Sequence, residues 1–230
     1  MNLADPTLLP AGAWLLLTRL GEAQILLPAV ALALLALVRE TQGRRLARWW
    51  LGLASVAVLL TTASKVAFIG WGLGWEALDC TGVSGHAMFA AAIYPLLLFA
   101  LLPEWRVIAV GAGSVLALAV GFSRIAIGVH STSEVVFGLL LGAAVCGVAL
   151  WRAGAPRRGP SPWVPAALAA WFMLMPTLAP ASQSHSLVTR LALTLAGHDQ
   201  PFTREHGFVR YPATDPRLQP GEIAGLPSSH

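Results

Sequence analysis

The sequence predicts an all-α, polytopic membrane protein with about six transmembrane helices. Three observations carry that expectation. Of the 230 residues, 56% are hydrophobic and 11% are charged, whereas an ordinary soluble domain is about 25% charged; mean hydropathy is positive. Several apolar runs approach the ~20 residues that a helix needs to cross a bilayer. Alternating segments of ~10 residues, the pattern of a membrane barrel, are absent.

Taken in order, residues 1–20 are short and mixed, with Pro6, Pro10, Trp14 and Arg19, and read as an interfacial lead-in. No basic region precedes the first apolar run, which therefore reads as mature structure and not as a cleaved signal. The first span covers about 21–38. A basic loop, 39–48, leads to the second span, 49–73, whose Trp49, Trp50, Trp71 and Trp75 suit aromatic belts at the two membrane surfaces. After the loop 74–83 comes a third span, 85–102, the tight turn Pro103-Glu104-Trp105 and a fourth span, 106–122. The fifth covers 130–151. A second basic loop, 152–161, holds Arg157 and Arg158, and the sixth span is 162–179. Residues 1–180 read as the transmembrane domain and 181–230 as a polar tail. No internal repeat is visible.

Charge placement sets the orientation. The two basic loops belong on the cytoplasmic side by the positive-inside rule. The loop 74–84, the loop 123–130 and the tail then share the outer face of an inner (plasma) membrane. The net charge of +4 is almost wholly arginine; orientation accounts for it, so nucleic acid is not an expected partner. Cys80 and Cys146 are the two cysteines, and Cys146 sits inside an apolar run, which argues against a disulfide framework or a thiolate metal site.

Chemistry concentrates in Ser123–Glu134, which carries Arg124, His130 and Glu134 between two apolar runs. Ionisable groups at such depth are costly and usually functional. His130 and Glu134 are four apart, neighbours on one helical face. They read as an oriented nucleophile or base, or as a capping box in which Glu134 partners Ser131 and His130 is incidental. Arg124 suits a phosphate or carboxylate held by two donors, or an interfacial anchor. Ser84-Gly85-His86 opens the third span: Ser84 suits an N-cap, helix-start amides bind anions, and His86 can protonate a leaving group. Lys65 is the single lysine, about 12 Å below Leu73 at 1.5 Å per residue; it reads as an anion contact or as a paired structural lysine. Two histidines, a carboxylate, two cations and a helix start on one face suit phosphoryl transfer without a metal.

These residues resemble the signature of the type 2 phosphatidic acid phosphatases, the PAP2 superfamily. The family's Ser-Arg, five residues, His, three residues, Asp is similar to Ser123-Arg124, His130 and Glu134. Its Pro-Ser-Gly-His is similar to Val83-Ser84-Gly85-His86. Its Lys, six residues, Arg-Pro is matched by Lys65, with Gly72 and Leu73 where Arg-Pro is expected. The resemblance covers about 60–150 and implies a PAP2-like helix bundle, a phosphatase or related phosphotransferase acting on a lipid phosphate, a lipid diphosphate or another phosphoester, with neither metal nor cofactor. It implies His130 as the nucleophile that forms a phosphohistidine and His86 as the general acid. Glu134 would orient His130, and Lys65, Arg124, Ser84 and Gly85 would hold the phosphate. Three departures stand out: Glu134 for aspartate, Val83 for proline, and no arginine at 72. The tail offers Arg190, Arg204 and Arg210 as substitutes. Two other expectations compete, a catalytically silent lipid-binding or scaffold protein with the same fold, and a transporter relaying protons through Lys65, Glu134 and the histidines.

Overall fold

The computed structural model describes residues 10–154, 156, 159–180 and 182–204. Arg157, Arg158, His206 and Arg210 lie outside the described residues. The described chain is all-α: α1 (Ala11–Arg19), α2 (Ala23–Leu37), α3 (Thr41–Trp71), α4 (Gly85–Leu101), α5 (Arg106–Ala126), α6 (Thr132–Ala153), α7 (Trp163–Leu178) and α8 (Ser184–Ala196). A one-turn 3-10 helix, Glu76–Leu78, interrupts the loop between α3 and α4.

Each of the six expected apolar runs is a helix. By length and composition α3, α5 and α6 can cross a bilayer, and α1 with α2, bent by 42°, makes a fourth if the pair is one span. The apolar helices α4 and α7 have 17 and 16 residues. Among the described residues three to four helices therefore meet the length for crossing, and length alone does not reach the expected count of about six. The lead-in differs from expectation, because residues 11–19 are helical. The first basic loop differs too: α3 begins at Thr41, so Arg44, Arg45 and Arg48 stand on its first turns.

α4 is apolar all round, the signature of a buried helix. From Ala87 to Ala100 nearly every residue is buried, packed between α5 and α6 with α2 and α3 beside it. Small residues allow that closeness. Gly138 and Gly142 on α6 form a Gly-x-x-x-Gly stripe; a Cβ on Gly142 would lie 2.4 Å from the Met88 carbonyl oxygen, and one on Gly138 2.6 Å from that of Ser84. The outward faces are apolar, with Leu59 on α3, Val107 and Val115 on α5 and Leu140 on α6 all exposed. In water such a surface is an aggregation liability; against lipid chains it is matched.

The helix ends separate by chemistry. One end gathers Arg39, Arg44, Arg45, Arg48, Arg106 and Arg152, with Arg106 donating to the Pro156 carbonyl at 2.7 Å. The opposite end gathers the α1–α2 turn, the end of α3, the start of α4, the end of α5 and the start of α6. There Arg19 and Gln24 donate to the carbonyls of Ala179 and Pro180, fastening α7 to the α1–α2 turn. α8 packs against the last turns of α3, burying Ala192 against Val66, Phe68 and Ile69.

Candidate active site

His130 is not on a helix. α6 starts at Thr132 with Ser131 as its N-cap, so the expectation of two residues on one helical face is corrected. The pair meets because the N-cap turns the chain back over the first turn. His130 Nδ1 lies 2.7 Å from Glu134 Oε2. The same Oε2 accepts the Ser131 amide at 3.2 Å, while Ser131 Oγ accepts the Glu134 amide at 3.4 Å. The capping box and the His–carboxylate pair are one structure sharing one carboxylate. Gly128, at φ 73°, makes the reversal between α5 and His130, a backbone conformation that glycine adopts without a Cβ clash.

Glu134 is fully buried, so its charge needs partners. Oε1 accepts the Thr81 amide at 2.7 Å, the Thr81 hydroxyl at 2.5 Å and the Arg204 guanidinium at 2.7 Å. With the two donors on Oε2, five hydrogen bonds hold the carboxylate. Removing one partner of a buried charge costs about 3–5 kcal/mol in many proteins, which marks this cluster as a fixed point of the fold.

Two cations, Arg124 and Lys65, also act on His130 electrostatically. Arg124 is on the last turn of α5 and donates to Thr18 Oγ1 at 2.8 Å; it is tied into the bundle, not spread along the interface as an anchor would be. Its Nε is buried without a partner among the described residues. Lys65 lies near Arg124 and Glu134, which act on it electrostatically. His86, one residue into α4, has the cations Arg124 and Lys65 and the His130 ring as neighbours. Burial pulls the His130 imidazole below its ordinary pKa; the Glu134 hydrogen bond works against that, and Lys65 and Arg124 add to it.

Ser84 occupies the N-cap position of α4, but its side chain makes no capping bond, correcting the plain N-cap reading. Its Oγ is buried and unpartnered, as is Thr61 Oγ1. Thr61 faces Gly85, with Cγ2 3.8 Å from where a Cβ would stand. An unmet buried polar group costs about 1–3 kcal/mol. Ser84 Oγ, Thr61 Oγ1 and Arg124 Nε are thus donors suited to an anion at the start of α4.

All seven sequence-predicted residues, Lys65, Ser84, Gly85, His86, Arg124, His130 and Glu134, gather at one end of the bundle. Sequence reasoning missed Thr18, Thr61, Ser64 and Thr81. Ser64 Oγ accepts the Val83 amide at 3.0 Å and so holds the approach to Ser84. Thr61, Ser64 and Lys65 share one face of α3 by their three- and four-residue spacing, a signal available in the sequence. Gly21 was missed as well: a Cβ there would lie 3.0 Å from His86 Cβ, so the α1–α2 turn walls the site by having no side chain.

Comparisons with known proteins bear on the family of the chain. A family model described as the PAP2 superfamily matches residues 68–158, a segment that includes Ser84, Gly85, His86, Arg124, His130 and Glu134 but begins after Lys65. An uncharacterized 22.5 kDa protein in the cps region of Klebsiella pneumoniae is 38% identical over 202 residues, covering 83% of this chain and 95% of that relative. No solved structure matches the chain. The chain belongs to the PAP2 superfamily, whose domain implies a phosphatase-type activity.

Proposed function

We propose that the protein is a membrane-embedded lipid-phosphate or lipid-diphosphate phosphatase that works through a phosphohistidine on His130, with its site on the extracytoplasmic side. The observation that carries this reading is the His130–Glu134 contact at 2.7 Å, facing a cluster of Lys65, Arg124 and His86. With Glu134 on Nδ1, the proton rests on that nitrogen and Nε2 keeps its lone pair. Nε2 attacks the terminal phosphorus, a P–N bond forms and the P–O bond to the leaving group breaks, the lipid alcohol from a monophosphate or the lipid monophosphate from a diphosphate. His86 gives its proton to the departing oxygen. Water then attacks the phosphoimidazole, His86 takes a proton from it, and the P–N bond breaks to release phosphate. Lys65, Arg124, Ser84 and the Gly85 amide hold the equatorial oxygens, where charge accumulates.

An apolar groove supports a lipid substrate. It has a volume of about 350 Å³, lies between α4, α5 and α7, and is lined by Leu20, Tyr94, Leu116 and Phe172 among others. Its upper end at Leu20 is one residue from Gly21, which packs on His86. A chain lying there would present its head group to the site. The arginine-rich end opposite the site supports a cytoplasmic placement for that end and an outer placement for the histidines; α4 and α7 then complete six crossings despite their length.

Purified protein in vesicles, offered phosphatidate, phosphatidylglycerol phosphate and polyprenyl diphosphate, is expected to release phosphate from at least one of them. Binding without release would favour the silent scaffold. Proton-coupled flux without release would favour a transporter.

A further inference from the structure

Position 72, where the resemblance expects arginine, is covered by a segment from the far end of the described chain. Gly72 caps α3 in the left-handed region at φ 68°, and the Phe202 ring lies 2.8 Å from where a Cβ would stand. Any larger residue at 72 is therefore strained in its backbone and in conflict with Phe202. The Phe202 amide donates to the Ile69 carbonyl at 3.0 Å, so the segment after α8 is strapped across the end of α3. Two residues on, Arg204 reaches into the site. One terminal nitrogen sits 2.7 Å from Glu134 Oε1 and the other 3.4 Å from Asp79 Oδ2. Asp79 is the one non-glycine residue with positive φ among the described residues, at 48°.

Glu134 has one more rotatable bond than the aspartate expected at its position. A longer carboxylate aims at His130 only if its far oxygen is pinned. Thr81 and Arg204 pin it: three of the five donors to this carboxylate hold Oε1, leaving Oε2 for His130 and the Ser131 amide.

We propose that Arg204, carried by the strap 197–204, is a positioning residue for the His130–Glu134 pair. It acts through Glu134 and not on the phosphate. This rests on the reading that His130 is the nucleophile, and one of its tests does not need turnover. The guanidinium fork matters because it spans Glu134 and Asp79 at once; a lysine would hold only one.

In full-length protein, Arg204→Gln should lower kcat about tenfold or more with KM nearly unchanged, the pattern of an interaction that serves the transition state. Arg204→Lys should recover part of that loss, and Arg45→Gln, an exposed change on α3 at the opposite end of the bundle, should lose nothing. In a Glu134→Gln background, Arg204→Gln should add less than about twofold, because the two act as one unit. A raised KM with kcat intact would overturn the proposal, as would an undiminished tenfold loss in the Glu134→Gln background. Independently of activity, ¹⁵N-histidine spectra should show His130 as one tautomer with its proton on Nδ1, and a mixture in Arg204→Gln. An unchanged tautomer in that variant would equally overturn it. Tautomer loss alongside absent phosphatase activity would leave Arg204 as the positioning residue and sink the phosphatase reading alone.

Discussion

His130 Nδ1 and Glu134 Oε2 lie 2.7 Å apart across the first turn of α6, and that same oxygen accepts the amide of the helix N-cap. One carboxylate therefore starts the helix and aims the imidazole. Glu134→Gln keeps an oxygen for the cap but loses the charge that stabilises an imidazolium-like nitrogen. Its turnover should fall roughly 10²-fold. Its thermal stability should also fall, since Thr81 and Arg204 would face an amide. A variant that loses stability while keeping full turnover would reduce the contact to a helix cap.

Thr81 donates to Glu134 through both its amide and its hydroxyl. Thr81→Val keeps the shape and the amide bond but deletes the hydroxyl. A hydrogen bond to a charged group contributes about 1.5–3 kcal/mol, so the midpoint of denaturation should drop and kcat should fall with it. Chemical denaturation in detergent, read by tryptophan fluorescence, measures the first effect.

Gly72→Arg restores the residue that the resemblance expects and should nevertheless be harmful. A non-glycine residue in the left-handed region costs roughly 1–2 kcal/mol, and the new side chain must displace Phe202, 2.8 Å from the Cβ position. Lower stability and lower turnover than wild type are the expected results. An increase in phosphate release would mean that the site gains from an arginine at 72 despite the backbone strain and the contact with Phe202.

The nucleophilic form of His130 is the neutral imidazole. Burial favours that form, against the pull of Glu134 and together with Lys65 and Arg124; His86 faces it from α4. Protonation on acidification removes the nucleophile, so kcat/KM should fall on the acid side with a midpoint below about 6.5, the ordinary histidine value. A midpoint above 7 for that limb would contradict the burial argument.

Packing between α4 and α6 offers a control remote from the chemistry. Gly142→Ala places a methyl 2.4 Å from the Met88 carbonyl oxygen, whereas a Cβ on Gly52 meets nothing within 4 Å. Overpacking costs about 1–3 kcal/mol. Gly142→Ala should lower the melting temperature by several degrees while Gly52→Ala leaves it close to wild type.

Most of the fold was legible because it depends on local composition. Each apolar run became a helix, and the turn 103–105 fell between α4 and α5 as Pro103 suggests. Boundaries were less legible: Arg44, Arg45 and Arg48 read as a loop because charge interrupts the apolar pattern, yet arginine is a good helix former and they sit on α3. His130 read as helical because the four-residue spacing fits a helix, but a capping box brings the same two residues together from outside it. The contributions of Arg204 and Thr81 were illegible in detail. Arg204 is 70 residues from Glu134 in sequence, and nothing local separates it from Arg190. Gly72 was visible only as a missing arginine; its left-handed backbone and its contact with Phe202 depend on tertiary structure.

The central claim is that His130 carries the phosphoryl group. Protein incubated with ³²P-labelled phosphatidate or polyprenyl diphosphate and quenched during turnover should retain label that survives alkali and is released by acid, as a phosphoramidate does. His130→Ala should retain none and release no phosphate, while keeping the helical content of wild type. Equal labelling or turnover in His130→Ala would contradict the account.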